Sequence, residues 1–233
     1  MAQVTTITFF RFDRPVTRVW AFFMMQFARA PLRKVEGQER FFLMGTGKEG
    51  FSPWPDFSVY ALVQIWNSKE QCDYFFNSSS LYAAYVRRCS EVLRFYMKNI
   101  EAKGMWNGIN PFQPSEELDP NNPLIAVITR ATIRTRLQLK FWRAVPATQR
   151  AVFDSEGLRF TKGIGEIPFR NMATFSLWSS MSDMESFAYR KVAHRGAIKQ
   201  TRKLNWYSEE LFSRFQPYAV VGVWNGTTIT LSD

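Results

Sequence analysis

The sequence predicts an α+β fold made of two ferredoxin-like βαββαβ repeats, packed sheet to sheet as a barrel with a central cavity. Three observations predict it. The order of strand and helix signals found before residue 110 returns after residue 124. Each half holds a GxG triplet, Gly45-Thr46-Gly47 and Gly163-Ile164-Gly165, and each closes on Trp-Asn-Gly, at 106–108 and 224–226. Between the halves lies Pro111–Pro123, with four prolines and no hydrophobic period. The expected division is therefore 1–110 as the N-terminal repeat, 111–123 as a Pro-rich linker and 124–233 as the C-terminal repeat.

In the first half, residues 5–12 (TTITFFRF) are β-rich and open as a strand. Pro15 starts a helix in which Val16, Val19, Trp20, Phe23 and Phe27 recur at helical spacing. Arg40–Met44 reads as a strand ending in a turn at Gly45–Gly47, Gly50–Asp56 as a loop, and Val59–Trp66 as a third strand. Ser68 is placed to cap a helix from Lys69, with a break at 77–80 and a long helix from Leu81 to about Ile100. In the second half, Leu124–Ile133 is a strand and Leu139–Val145 a helical segment limited by Pro146. Leu158–Thr161 leads to a tight turn at Gly163–Gly165, and Thr174–Trp178 is a further strand. Ser182 is placed to cap a helix from Asp183, and Phe187–Phe215 reads as a long amphipathic helical segment broken near Ala193–Gly196. Trp66 and Trp178 have two readings, partly inward-facing or plain core packing.

Composition bounds the rest. The chain has 233 residues, 46% hydrophobic, with 22 Phe and 8 Trp, enough for a sizeable core. Lys+Arg is 30 against Asp+Glu 20, a net charge of +10, which suits a soluble basic protein or a partner bearing anions. Two isolated cysteines make neither a disulfide framework nor a structural zinc site. No basic n-region precedes an apolar stretch at the start, and the longest apolar run, Val19–Met25, is far shorter than a membrane span. A cytoplasmic protein, at most peripheral to a membrane, is expected.

His194 is the only histidine. Between Arg190 and Lys203 stand six basic residues and no acidic one. From the residues alone three roles stay open. A general base needs an orienting carboxylate, and none is near in sequence. A haem iron needs only one protein ligand, since the porphyrin supplies four nitrogens, together with an apolar slot and cations for the propionates. The third role is a histidine without function. The GxG triplets lack the rest of a dinucleotide fingerprint, no GxSxG elbow is present, and no RNP or KH motif accompanies the basic run, so nucleic acid is not an expected partner.

Particular segments stand out in the second half: Thr129–Thr132, Phe160–Pro168 (FTKGIGEIP), Thr174–Trp178, Met184, Phe187-Ala188, His194, Ala197-Ile198, Arg202, Trp206, Glu209–Leu211 and Arg214-Phe215. In the first half they are Phe10–Phe12, Gly45–Gly47, Gly50-Phe51, Val59–Ala61 and Trp106. In this order they resemble the spheroidene monooxygenase (carotenoid 2-oxygenase) family. The resemblance implies a dimeric α/β-barrel type of fold and a haem-dependent enzyme. That enzyme would use O2 and reduced ferredoxin to hydroxylate and then oxidise C-2 of acyclic carotenoids. It also implies haem b, with His194 as the iron ligand and Arg202 as a propionate contact. Alternatives are a haem protein of the same barrel with peroxidase-like or other lipophilic-substrate activity, a cofactor-free oxygenase, and a non-enzymatic basic binding module.

Overall fold

A computed structural model describes residues 2–48, 52, 54–143, 153, 155–190 and 206–231. Eight strands form one closed antiparallel barrel: β1 (Val4–Arg11), β2 (Gln38–Gly47), β3 (Pro55–Trp66), β4 (Glu91–Gly104), β5 (Ile125–Ile133), β6 (Leu158–Ile167), β7 (Asn171–Trp178) and β8 (Tyr207–Trp224). A two-residue strand β9 (Thr227–Thr228) pairs with the end of β8. The order around the barrel is β4-β1-β3-β2-β6-β7-β5-β8, and β8 returns to β4. The first half thus contributes β4-β1-β3-β2 and the second β8-β5-β7-β6. They meet along two seams, β4 with β8 and β2 with β6.

The helices α1 (Pro15–Phe27), α2 (Arg29–Leu32), α3 (Lys69–Ser78) and α4 (Ser80–Val86) belong to the first half. They cover its outer sheet face, where Phe10, Leu43, Tyr60, Leu62 and Trp66 pack against Ala21, Phe75, Phe76 and Tyr85. Strand β1 is therefore covered on both faces and carries no polar alternation, as for any strand between two apolar layers. Ser68 caps α3 by accepting from Gln71 N at 3.4 Å, and Ser79 caps α4 by accepting from Tyr82 N at 3.2 Å. In the second half the described helical residues are a 3-10 turn at Thr135–Leu137, 138–143, 153 and Met181–Glu185, the last followed by a π-helical turn at Ser186–Arg190. The cap of Met181–Glu185 is Ser180, not Ser182, and it accepts from Asp183 N at 3.1 Å.

The expected central cavity is instead a packed core. Ile7, Phe9, Phe95, Phe160, Phe175, Leu177, Phe215 and Trp224 fill the interior, as an eight-stranded barrel is just wide enough for side chains. Trp66 and Trp178 both lie on outer faces, in separate apolar layers.

Two long helices of the sequence reading give way to strands, and in the second of them residues 191–205 lie outside the described ones. Helix α4 stops at Val86, and Glu91–Gly104 is β4; Tyr207, Leu211 and Phe215 lie on β8. The GxG triplets are also strand, not turns, and they meet at the β2–β6 seam, with Gly45 opposite Gly165 and Thr46 opposite Ile164. Gly104 and Gly222 occupy matching places on the other seam at φ +96° and +111°. A Cβ there would come within 2.1 Å of Glu210 O and 2.0 Å of Val92 O, so only glycine fits.

Each Trp-Asn-Gly turn is clasped by the opposite half. Arg11 pairs with Glu91 at 2.8 Å and donates to Asn225 Oδ1 at 2.7 Å, with its guanidinium 4.3 Å from the Trp224 ring centre. Glu91 accepts from Asn225 N and Gly226 N. In the mirror cluster Arg130 pairs with Glu209 and Glu166 and donates to Asn107 Oδ1 at 2.9 Å. Glu209 accepts from Asn107 N and Gly108 N at 2.9 and 2.7 Å. Arg130 is the more buried arginine, its side chain 1% exposed against 24% for Arg11. Residues 111–123 are bound to the barrel: Phe112 enters the core against Phe215, and Gln216 holds Asp119 and Asn122. Among the described residues no helix is long and apolar enough to cross a membrane.

Burial pushes the Glu209 carboxyl up, but the two backbone donors and Arg130 outweigh it, and its pKa lies below the ordinary value. A carboxyl depressed by folding contributes stability above its unfolded pKa and loses it as pH falls through the folded one. Glu209→Ala strands a buried guanidinium with one carboxylate and should cost about 3 kcal/mol in urea denaturation at pH 7. Glu209→Gln should show a shallower loss of stability on acidification than the wild type.

Candidate functional site

The two halves share a backbone plan but differ sharply on their outer faces. In the first half Phe10 stands opposite Tyr60 and Leu43 opposite Leu62, all four buried. At the matching places in the second half Thr129 stands opposite Thr174 and Thr161 opposite Ser176. Four large side chains are thus replaced by four small hydroxyl residues, none of them fully buried. This strip has an apolar cluster at each end. Ile125, Val127, Trp178 and Met184 lie at one, where Phe187 stacks on Trp178 at 5.3 Å. Ile133, Phe141 and Trp206 lie at the other, with Trp142 and Met172 against them. The Trp206 indole N–H is buried without a hydrogen-bond partner among the described residues. The described chain leaves this face after Phe187 and rejoins it at Trp206. His194 and Arg202 fall between these points, outside the described residues.

Beside the strip, a cleft of about 380 Å³ runs over the β2–β6 seam. Its floor is Gly45, Gly163 and Ile164; its walls are Phe22 and Met25 of α1, Phe57, Tyr60, Trp142, Phe169 and Met172. The polar groups reaching it are few: Thr46, Asp56, Glu166 and Asn171 among them. Thr46 Oγ1 is occupied, donating to Val59 O at 3.0 Å, and Trp142 Nε1 donates to Phe169 O at 3.0 Å. The Tyr60 hydroxyl is buried and makes no hydrogen bond among the described residues; burial and then Asp56 push its pKa up to about 12. It is a phenol held protonated, able to donate to an oxygen on a bound molecule. Lys162, half-buried nearby, lies 3.8 Å from Asp56, and burial lowers its pKa against the pull of that carboxylate. The site is apolar with a few convergent polar groups, the usual make-up of a small-molecule pocket.

Sequence reasoning placed the GxG triplets and Tyr60 in motifs without assigning them to a cleft. The hydroxyl strip was missed. Its signal is Phe10-Arg11-Phe12 in one half against Thr129-Arg130-Ala131 in the other, which becomes readable once the clasped arginines are superposed.

The chain is 31% identical over 226 residues to a spheroidene monooxygenase of Rhodobacter capsulatus, covering 96% of this chain and 93% of that one. The chain belongs to the spheroidene monooxygenase family. A second member, from Cereibacter sphaeroides, is 30% identical over 226 residues, covering 96% of this chain and 69% of the relative. No family model matches. Among solved structures, an aldoxime dehydratase in complex with butyraldoxime superposes with a TM-score of 0.61 at 12% identity, over 93% of this chain and 79% of that one. At that identity the likeness concerns the fold alone.

A Cβ on Gly45 meets no atom within 4 Å, so a side chain there enters the cleft without disturbing the seam. Gly45→Leu should leave the melting temperature within about 2 °C of wild type. It should also weaken binding of an apolar fluorescent probe by about tenfold.

Proposed function

We propose that the protein is a haem-dependent monooxygenase. It uses O2 and reduced ferredoxin to hydroxylate and further oxidise C-2 of acyclic, spheroidene-type carotenoids. The observation that carries this reading is membership of the family across 96% of the chain, joined to an apolar cleft in the region where the GxG triplets meet.

The second half's outer face fits a haem group. Its hydroxyl strip opens the volume that Phe10, Tyr60, Leu43 and Leu62 fill in the first half, and apolar clusters bound both ends. His194 is the proposed iron ligand and Arg202 the proposed propionate contact; both belong to the segment that joins the two ends of this face. When bound, haem supplies the redox chemistry that couples O2 to oxidation of a C–H bond. The chain's own part is to hold the apolar polyene between Phe22, Met25, Phe57 and Trp142, to keep water out, and to offer the Tyr60 O–H to an oxygen at the substrate end. The Arg190–Lys203 cations are proposed to guide an acidic ferredoxin, which makes association salt-sensitive. The matching strand orders, clasps and glycines support an internal duplication, with repeats at 1–110 and 124–233 joined by 111–123, in a dimeric α/β-barrel type of fold. A cytoplasmic location accompanies this reading.

Visible spectroscopy of haem-replete protein tests it. The wild type should show a Soret band, and His194→Ala should lose most of it together with conversion of spheroidene under O2 and reduced ferredoxin. An unchanged band in the variant removes His194 as ligand. Turnover with peroxide alone points to the peroxidase-like alternative. No band despite ample haem, with activity kept, points to a cofactor-free oxygenase; with no activity either, it points to a non-enzymatic basic module.

A further inference from the structure

Helix α1 is apolar on both sides. Its inward face, Ala21 with Trp20, Met24 and Met25, packs on the barrel. Of the residues that helical spacing grouped, Val16, Val19, Trp20, Phe23 and Phe27, only Trp20 packs inward; the other four point outward, 53–73% exposed. A helix apolar on two sides calls for a second cover. Its exposed rings continue toward the cleft: Phe27 stacks on Phe23 at 6.3 Å, Phe23 meets Phe22 at 5.8 Å, and Phe22 meets Phe57 at 6.0 Å. On the opposite wall Trp54, 66% exposed, touches Phe169, and Phe169 touches Trp142. Beside Trp142, Leu139 is 77% exposed.

The two helical segments at this rim carry charges of one sign, while Asp56 and Glu166 line the cleft itself. From Arg14 to Lys34 the chain has five basic residues and no acidic one, and from Arg134 to Arg143 it has four and none. These are the two helical segments that wall the cleft, through Phe22 and Met25 on one side and Trp142 on the other. Aromatic and aliphatic side chains ringed by arginine and lysine suit the boundary of an anionic bilayer, where rings enter the acyl edge and cations meet the headgroups.

We infer that α1 and the 138–143 segment form a peripheral membrane-docking face that seats the cleft mouth on an anionic phospholipid surface. A second copy of this chain is a poorer occupant, because two such faces would bring like charges together. The inference stands on the rim alone. Only its use, uptake of a lipid-dissolved substrate directly from the bilayer, rests on the function proposed above.

Co-sedimentation with phosphatidylglycerol/phosphatidylcholine vesicles tests it without haem or substrate. The wild type should partition to the anionic vesicles, bind pure phosphatidylcholine weakly, and be released by salt. The variant Val19→Ser/Phe23→Ser/Phe27→Ser, altered only at exposed positions, should bind at least about tenfold more weakly while keeping its melting temperature. Absence of vesicle binding, or binding unchanged in the triple variant, overturns the inference. So does a homodimer, seen by analytical ultracentrifugation, that the same substitutions dissociate. A protein that docks on vesicles yet never converts carotenoid would leave the docking face standing and remove only the proposed reaction.

Discussion

In the middle of the barrel the rings of Phe9, Phe95, Phe160 and Phe175 meet with centroids 5.0–6.0 Å apart, tilted against one another. Rings at such angles fill space densely and gain more than their buried area alone provides. The interior is thereby committed to stability. Pairing runs right around the barrel, so each of the strands β1–β8 has a neighbour on both sides, although β2 and β6 share only two residue pairs. Function has to be built on the outside. That is where the molecule places the cleft over the β2–β6 seam and its strip of small hydroxyl side chains.

The outer faces show how one backbone plan carries two tasks. In the first half, large apolar residues at four register positions meet four helices, and the face is closed. In the second half the same positions hold Thr129, Thr161, Thr174 and Ser176, none of them fully buried. The clasps are kept in both halves because each satisfies the backbone N–H groups of a turn whose asparagine has positive φ, Asn107 at 55° and Asn225 at 53°. Those turns lie exposed at the barrel ends, and the charge-assisted bonds from the two carboxylates fix their shape. The pieces that hold the frame stay alike, and the pieces that could touch a ligand diverge.

Much of the frame was legible in the residues. The opening strand, the Pro15 helix start, the Ser68 cap and the Trp66 and Trp178 strands all appear where the pattern put them. The fourth strand of each half did not. In β4, Leu93, Phe95 and Met97 face the core while Tyr96 and the stem of Arg94 pack outward under aromatic rings. With apolar groups on both faces the period of two vanishes, and the run imitates a helix. The same happens at Leu211–Phe215. The exposed side of α1 misled for a related reason: spacing finds the apolar stripe, but with two stripes it cannot say which one meets the barrel. The cleft was beyond reach because its walls come from α1, β3 and the 138–143 segment, which only the closed sheet brings together.

The two seams are unequal. β4 and β8 pair from Leu93 to Gly104, whereas β2 and β6 pair only at Gly45↔Gly165 and Thr46↔Ile164. The short ladder has few hydrogen bonds, so side chains do the closing there, with Met44 and Ile164 in the buried core. Because Phe9 and Phe95 of the first half interlock with Phe160 and Phe175 of the second, the lip under the cleft is held shut by the aromatic centre more than by its own backbone pairs.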